Sequence, residues 1–103
     1  MLAETVTDAY SHIYQSIDAA CGSPTRAVPP GTGASLSATI VRLRLLHAPE
    51  RAIRDAETIA LTVHRLQQAL GQPGLWAEMR VRRLRFDLGR LGEAWLREAP
   101  ILH

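Results

Sequence analysis

The sequence predicts an all-α fold, a bundle of three or four helices built on one long antiparallel hairpin over residues 49–98. Three observations predict it. After Pro49, Ala52, Ala56, Ile59, Val63, Leu66 and Leu70 step alternately by four and three, which keeps them on one face of a helix. Ile53 and Ala60 widen that stripe. Ala77, Val81, Leu84, Leu88, Leu91 and Trp95 repeat the pattern, and two matched apolar seams imply one shared interface. Between them lies only Gly71-Gln72-Pro73-Gly74, so the arms must be antiparallel neighbours. Gly71 is read as the left-handed residue past the first arm, and Pro73 cannot continue that helix.

Taken in order, residues 2–21 form the first predicted helix, with Leu2, Val6, Ala9, Ile13, Ile17 and Ala20 on one face, Tyr10 and Tyr14 beside them and Gly22 as its stop. Glu4, Asp8 and Asp18 give this segment a charge of −3 with no basic residue, so within a total of +2 the rest of the chain carries +5. An acidic helix of this kind can lie against an arginine-rich one. Residues 23–33, SPTRAVPPGTG, read as a flexible loop, stiffened at Pro29-Pro30. Gly31-Thr32-Gly33 before a helix start at Ser35 has a faint likeness to a phosphate loop. The Gly-Lys-Ser/Thr ending and the preceding strand are both missing, so a connector is the better reading.

Residues 39–46 are ambiguous. Val41, Leu43 and Leu45 alternate with Arg42 and Arg44 as in a half-buried strand, while Leu36, Ile40, Leu43 and Leu46 fit helical spacing. Helix is preferred, because an unpaired strand leaves its backbone unsatisfied and only Arg80 to Phe86 offers a partner. An α+β fold with a short strand at 39–46 is the alternative. Pro49 ends the segment and suits a first helical position in the next one.

The second hairpin arm carries more than its seam. Leu75, Met79 and Phe86 lie opposite the seam at 100° per residue, which makes the first half of the helix apolar on two sides. Such a helix needs two partners. One is expected to be the first helix of the chain and the other a second copy, since arms of roughly 33 and 36 Å are as long as a compact domain of this size is wide. A homodimer is therefore predicted. Gly89 and Gly92 flank the seam and permit close helix approach, though each weakens the helix.

Composition bounds the function. At 103 residues, 47% hydrophobic and 21% charged, the chain is long enough and apolar enough to be one helical domain, 1–103, with a packed core. All twelve basic residues are arginine, in a background of Ala, Leu, Gly and Pro that reflects GC-rich coding. The net charge of +2 is too small to indicate nucleic acid by itself. One cysteine, Cys21, allows no internal disulfide, and Glu4 and Asp8 stand where a secretory signal would be apolar, so a cytoplasmic setting is expected. No membrane span is predicted, because the longest uncharged run, 27–41, is full of Pro, Gly, Ser and Thr.

No metal or cofactor motif is present. His12, His47, His64 and His103 are scattered, His12 and Cys21 fall on opposite faces of their helix, and Cys21 lacks a local base. His64, beside its seam, is expected to be partly buried and hydrogen-bonded.

Arg80, Arg82, Arg83, Arg85 and Arg90 form the sharpest local signal and invite a nucleic-acid reading. Against it, they fan round every side the seam leaves free, and Glu78–Arg82, Arg83–Asp87 and Glu93–Arg97 stand four apart as charge pairs do on a solvated helix. A helix-turn-helix reading is weaker, given the length of the second helix and the Pro73 turn. A small helical enzyme, clamping an anionic substrate between Arg51, Arg54, Arg65 and Arg83, has no acid-base pair to support it.

The function expected is that of a small regulatory or adaptor protein acting through helix-mediated protein–protein contact, with Leu75, Trp76, Met79 and Phe86 as partner-binding residues and no catalytic residue.

Overall fold

The computed structural model describes residues 6–21, 28, 29 and 31–98. Four helices follow one another: α1 (Val6–Cys21), α2 (Thr32–Leu45), α3 (Glu50–Leu70) and α4 (Leu75–Glu98). Among the described residues there is no strand, and no helix is long and apolar enough to cross a membrane. Residues 39–45 are the second half of α2. Its buried row is Leu36, Thr39, Ile40 and Leu43, so the helical spacing prevails, and Val41 and Leu45, which would share a strand face with Leu43, point to solvent.

Neighbours run antiparallel. α3 and α4 face each other along both predicted seams, with Ile59, Val63 and Leu66 buried on one and Ala77, Leu88 and Trp95 on the other. Arg44 of α2 reaches Glu57 of α3 at 2.6 Å, while Gly33 at the other end of α2 lies beside Gln67. α1 returns along α4: the indole N–H of Trp95 donates to the Tyr10 carbonyl at 3.1 Å, Gly92 lies against Ile17, and the Cys21 thiol meets the Arg85 carbonyl at 3.9 Å. The acidic helix thus packs beside the arginine-rich one, with Asp8 and Asp18 exposed. One continuous core joins all four helices.

Helix ends carry most of the corrections. Gly71 is right-handed (φ −83°), because the last turn of α3 tightens, the amides of Gly71 and Gln72 bonding the carbonyls of Gln68 and Ala69. The positive φ falls on Gly74 instead, at 103°, after Pro73. α2 begins at Thr32, earlier than Ser35, since Gly31 in the left-handed region (φ 85°) is already its cap; the connector therefore ends at residue 31. Pro49 is the cap of α3 rather than its first residue. α2 closes before Pro49 can act on it: His47 is left-handed (φ 58°), its amide bonds the Arg44 carbonyl, and the Ala48 amide bonds that of Leu43, a Schellman motif with histidine where glycine is usual. The expected helical stretch 2–5, the stop at Gly22 and residues 23–27 and 30 of the loop lie outside the described residues.

The helices are unequal, and that shapes the molecule. α1 and α2 have 16 and 14 residues against 21 and 24 in α3 and α4. The thiol of Cys21, the last residue of α1, meets α4 at Arg85, so about 15 Å of α4, residues 75–84, extends past that end of α1 alongside the end of α3. The principal extents are 46 × 25 × 21 Å.

Candidate functional site

The overhanging end of the hairpin brings together most of the residues singled out in the sequence. On its outer side Leu75, Met79 and Phe86 are 68%, 52% and 63% exposed, and Trp76, on the flank facing α3, is 83% exposed. α1 packs against a different flank, through Arg85, Gly92 and Trp95, and so leaves this face uncovered. Large apolar side chains gathered on one helical face are the unusual feature here, since exposed apolar residues normally stand singly.

The arginines separate. Arg80 and Arg83 line a groove of about 860 Å³ between α4 and α3, where Arg65 of α3 joins them. Arg82 and Arg85 lie on the opposite flank, around a second groove near Pro73 and Gly74. Arg90 stands further along α4, next to Asp87, Glu93 and Arg97. No single face therefore collects the five. Among the charge pairs set up on α4, Arg83 and Asp87 meet at 3.4 Å. Arg65, Arg80, Arg82 and Arg90 have no carboxylate partner among the described residues. Arg85 is half-buried against α1, its Nε shut off from solvent.

The groove of Arg65, Arg80 and Arg83 has a physical origin in side-chain size. Lower in the hairpin the seam is filled by Leu66, Leu88 and Trp95; at this end it narrows to Ala69 and Ala77, which are buried yet too small to fill the space. The result is a small apolar floor with walls of arginine and of Gln68 and Gln72, capped by Trp76 and Met79. Arg65 and Arg83 are half of the anion clamp that the sequence suggests. The structure brings those two together but leaves Arg54 roughly 16 Å or more down α3 from Arg65, paired with Glu50.

The remaining chemistry-bearing residues do not converge. His64 is exposed, a correction: at 100° per residue it stands about 120° round from the seam, beyond the flank that Ile53 and Ala60 half fill. His12 is exposed too. Cys21 is half-buried, and its thiol pKa is raised by burial, against a lowering by the Arg85 charge and with a smaller rise from Asp18. That leaves a poor nucleophile. Among the described residues no three His, Cys, Asp or Glu stand close enough to hold a metal ion. Comparison of the chain with protein-family models, curated proteins and solved structures yields no match.

Proposed function

We propose that the protein is a helical interaction module, a regulator or adaptor that docks a protein partner on the overhanging end of the α3–α4 hairpin. The observation that carries this reading is the solvent-facing set Leu75, Trp76, Met79 and Phe86 on the stretch of α4 that extends past the end of α1. Burying side chains of this size at about 25 cal/mol per Å² is a large driving force, and tryptophan with neighbouring arginine is the composition of an interface hot spot. A setting in the cytoplasm accords with the single free cysteine.

A second copy of the chain is a poorer occupant of this face. A two-fold contact along α4 sets Arg80, Arg82 and Arg83 of one copy near those of the other, and like charges across an interface oppose association. Nucleic acid is poorer still, because the arginines divide between opposite flanks.

The test is affinity purification of the tagged chain from its host with and without nuclease, beside a Trp76→Ser/Met79→Ser variant. The reading expects one protein to remain in near-equal amount after nuclease and to be lost with the variant. A captured set that vanishes with nuclease, or that the variant retains, contradicts it.

A further inference from the structure

The same docking site carries a statement about the chemistry of what it holds. Three cations, Arg65, Arg80 and Arg83, converge on one groove from two helices, and no carboxylate of the described chain faces Arg65 or Arg80. Asp87 offsets Arg83 at 3.4 Å, but Arg65 and Arg80 have no carboxylate partner among the described residues, so a ligand of opposite sign is favoured beside them. Between them the floor of Ala69, Ala77 and Leu84 is apolar. A free phosphate or small carboxylate would satisfy the walls and leave the floor wet; a neutral apolar segment would fill the floor and strand the charges.

We infer that the groove binds an acidic amphipathic helix of the partner, its apolar row lying on Trp76, Met79 and the alanine floor and its carboxylates meeting Arg65, Arg80 and Arg83. The inference rests on the docking reading above and sharpens it. A trough between two antiparallel helices accepts a third helix by the usual fit of ridges into grooves, and an occupant read at i, i+3, i+4 and i+7 matches its length. Charge complementarity disfavours a face-to-face second copy, which brings its own three arginines. A single aromatic platform, Trp76, argues against a nucleic-acid strand, which is held by successive stacking platforms along a cationic track.

The experiment uses the full chain and labelled helix-forming peptides of about 16 residues, with leucines at i, i+3, i+4 and i+7 and flanking glutamates. Companion peptides carry glutamine or lysine at the flanks, and an oligo-dT strand serves as the nucleic-acid probe. By fluorescence anisotropy the glutamate peptide should bind about tenfold tighter than the glutamine one, as three partly exposed ion pairs together allow. In an Arg65→Glu/Arg80→Glu/Arg83→Glu variant the preference should pass to the lysine peptide. These side chains lie on the surface, so the variant should keep the wild-type helical circular dichroism.

Equal affinity for the glutamate and glutamine peptides, both lost in Trp76→Ser, overturns the acidic helix but leaves the docking reading standing. Failure of every peptide to bind overturns the inference. If Trp76→Ser/Met79→Ser also retains the proteins the wild type captures, the docking reading falls with it. Salt-sensitive binding of oligo-dT that displaces the glutamate peptide overturns the inference in favour of nucleic acid, and self-association that this peptide cannot disperse overturns it in favour of a second copy.

Discussion

The two tryptophans of α4 stand at opposite ends of one helix and do opposite things. Trp95 is 1% exposed, stacks at 4.7 Å on Tyr10 and donates its N–H to the Tyr10 carbonyl. Trp76 lies in water. Both are two-ended side chains with a large apolar body and one polar N–H, and the difference lies in what the chain places opposite them. At the base α1 arrives, and Gly92 lets it come so close that an added Cβ would sit 3.0 Å from Ile17 Cγ2. At the tip α1 has already ended. The base therefore spends its apolar surface on folding, while the tip keeps it free, and several variants sharpen or break that division.

The largest effect is expected from the tryptophans themselves. Trp95→Ala should cost about 3–5 kcal/mol in urea unfolding, whereas Trp76→Ala should stay within about 0.5 kcal/mol of wild type. Comparable losses at both sites would erase the distinction between the two ends. Next come the two glycines. Gly92→Val should destabilise by about 1–3 kcal/mol, because the β-branched Ile17 has little freedom to withdraw. Gly89, with nothing within 4 Å of an added Cβ, should gain up to about 1 kcal/mol as alanine. Differential scanning calorimetry of the pair reads both signs at once.

At the α2–α3 corner, also part of the base, His47→Gly should raise stability by about 1 kcal/mol by removing the strain of a left-handed histidine. Unchanged stability would mean the corner relaxes at no cost. The smallest effect is on pH dependence. The Cys21 thiol has its pKa raised above the ordinary value of 9.0, so the folded state holds that proton more tightly than the unfolded chain. Stability from this group is complete below the ordinary thiol value and falls as pH rises above it towards the raised one. Cys21→Ala should flatten that alkaline decline in thermal unfolding; an identical decline would assign it to other groups.

Much of the fold was legible because burial repeats. Steps of four and three fixed the facing sides of α3 and α4, and the off-seam placement of Leu75, Met79 and Phe86 followed from the same angles. The caps did not follow. Gly71 and Gly74 bracket one turn, and which takes the positive φ depends on whether α3 ends with a tightened last turn, which side-chain pattern does not encode. His47 was invisible as a cap because histidine seldom takes that position. The exposure of His64 does not follow from the sequence for a related reason: spacing gives an angle round its own helix but not the width its neighbours cover.

In the site, the four apolar residues and the fanning of the arginines could be read from α4 alone. The groove could not, since it needs the stagger that sets Arg65 level with Arg80 and Arg83, and the coincidence of two alanines across the seam. Neither is a property of one helix.

The measurement that bears most directly on the account is the thermal midpoint of a Leu75→Ser/Met79→Ser/Phe86→Ser variant beside the wild type, each at two protein concentrations. If the outer face of the tip is spare surface kept for a partner, all four midpoints should agree within the few degrees that about 0.5–1 kcal/mol represents in a domain of this length. A wild-type midpoint that rises with concentration and a variant that melts far lower would show that the face is already buried in a second copy, and the division between a folding base and a binding tip would be wrong.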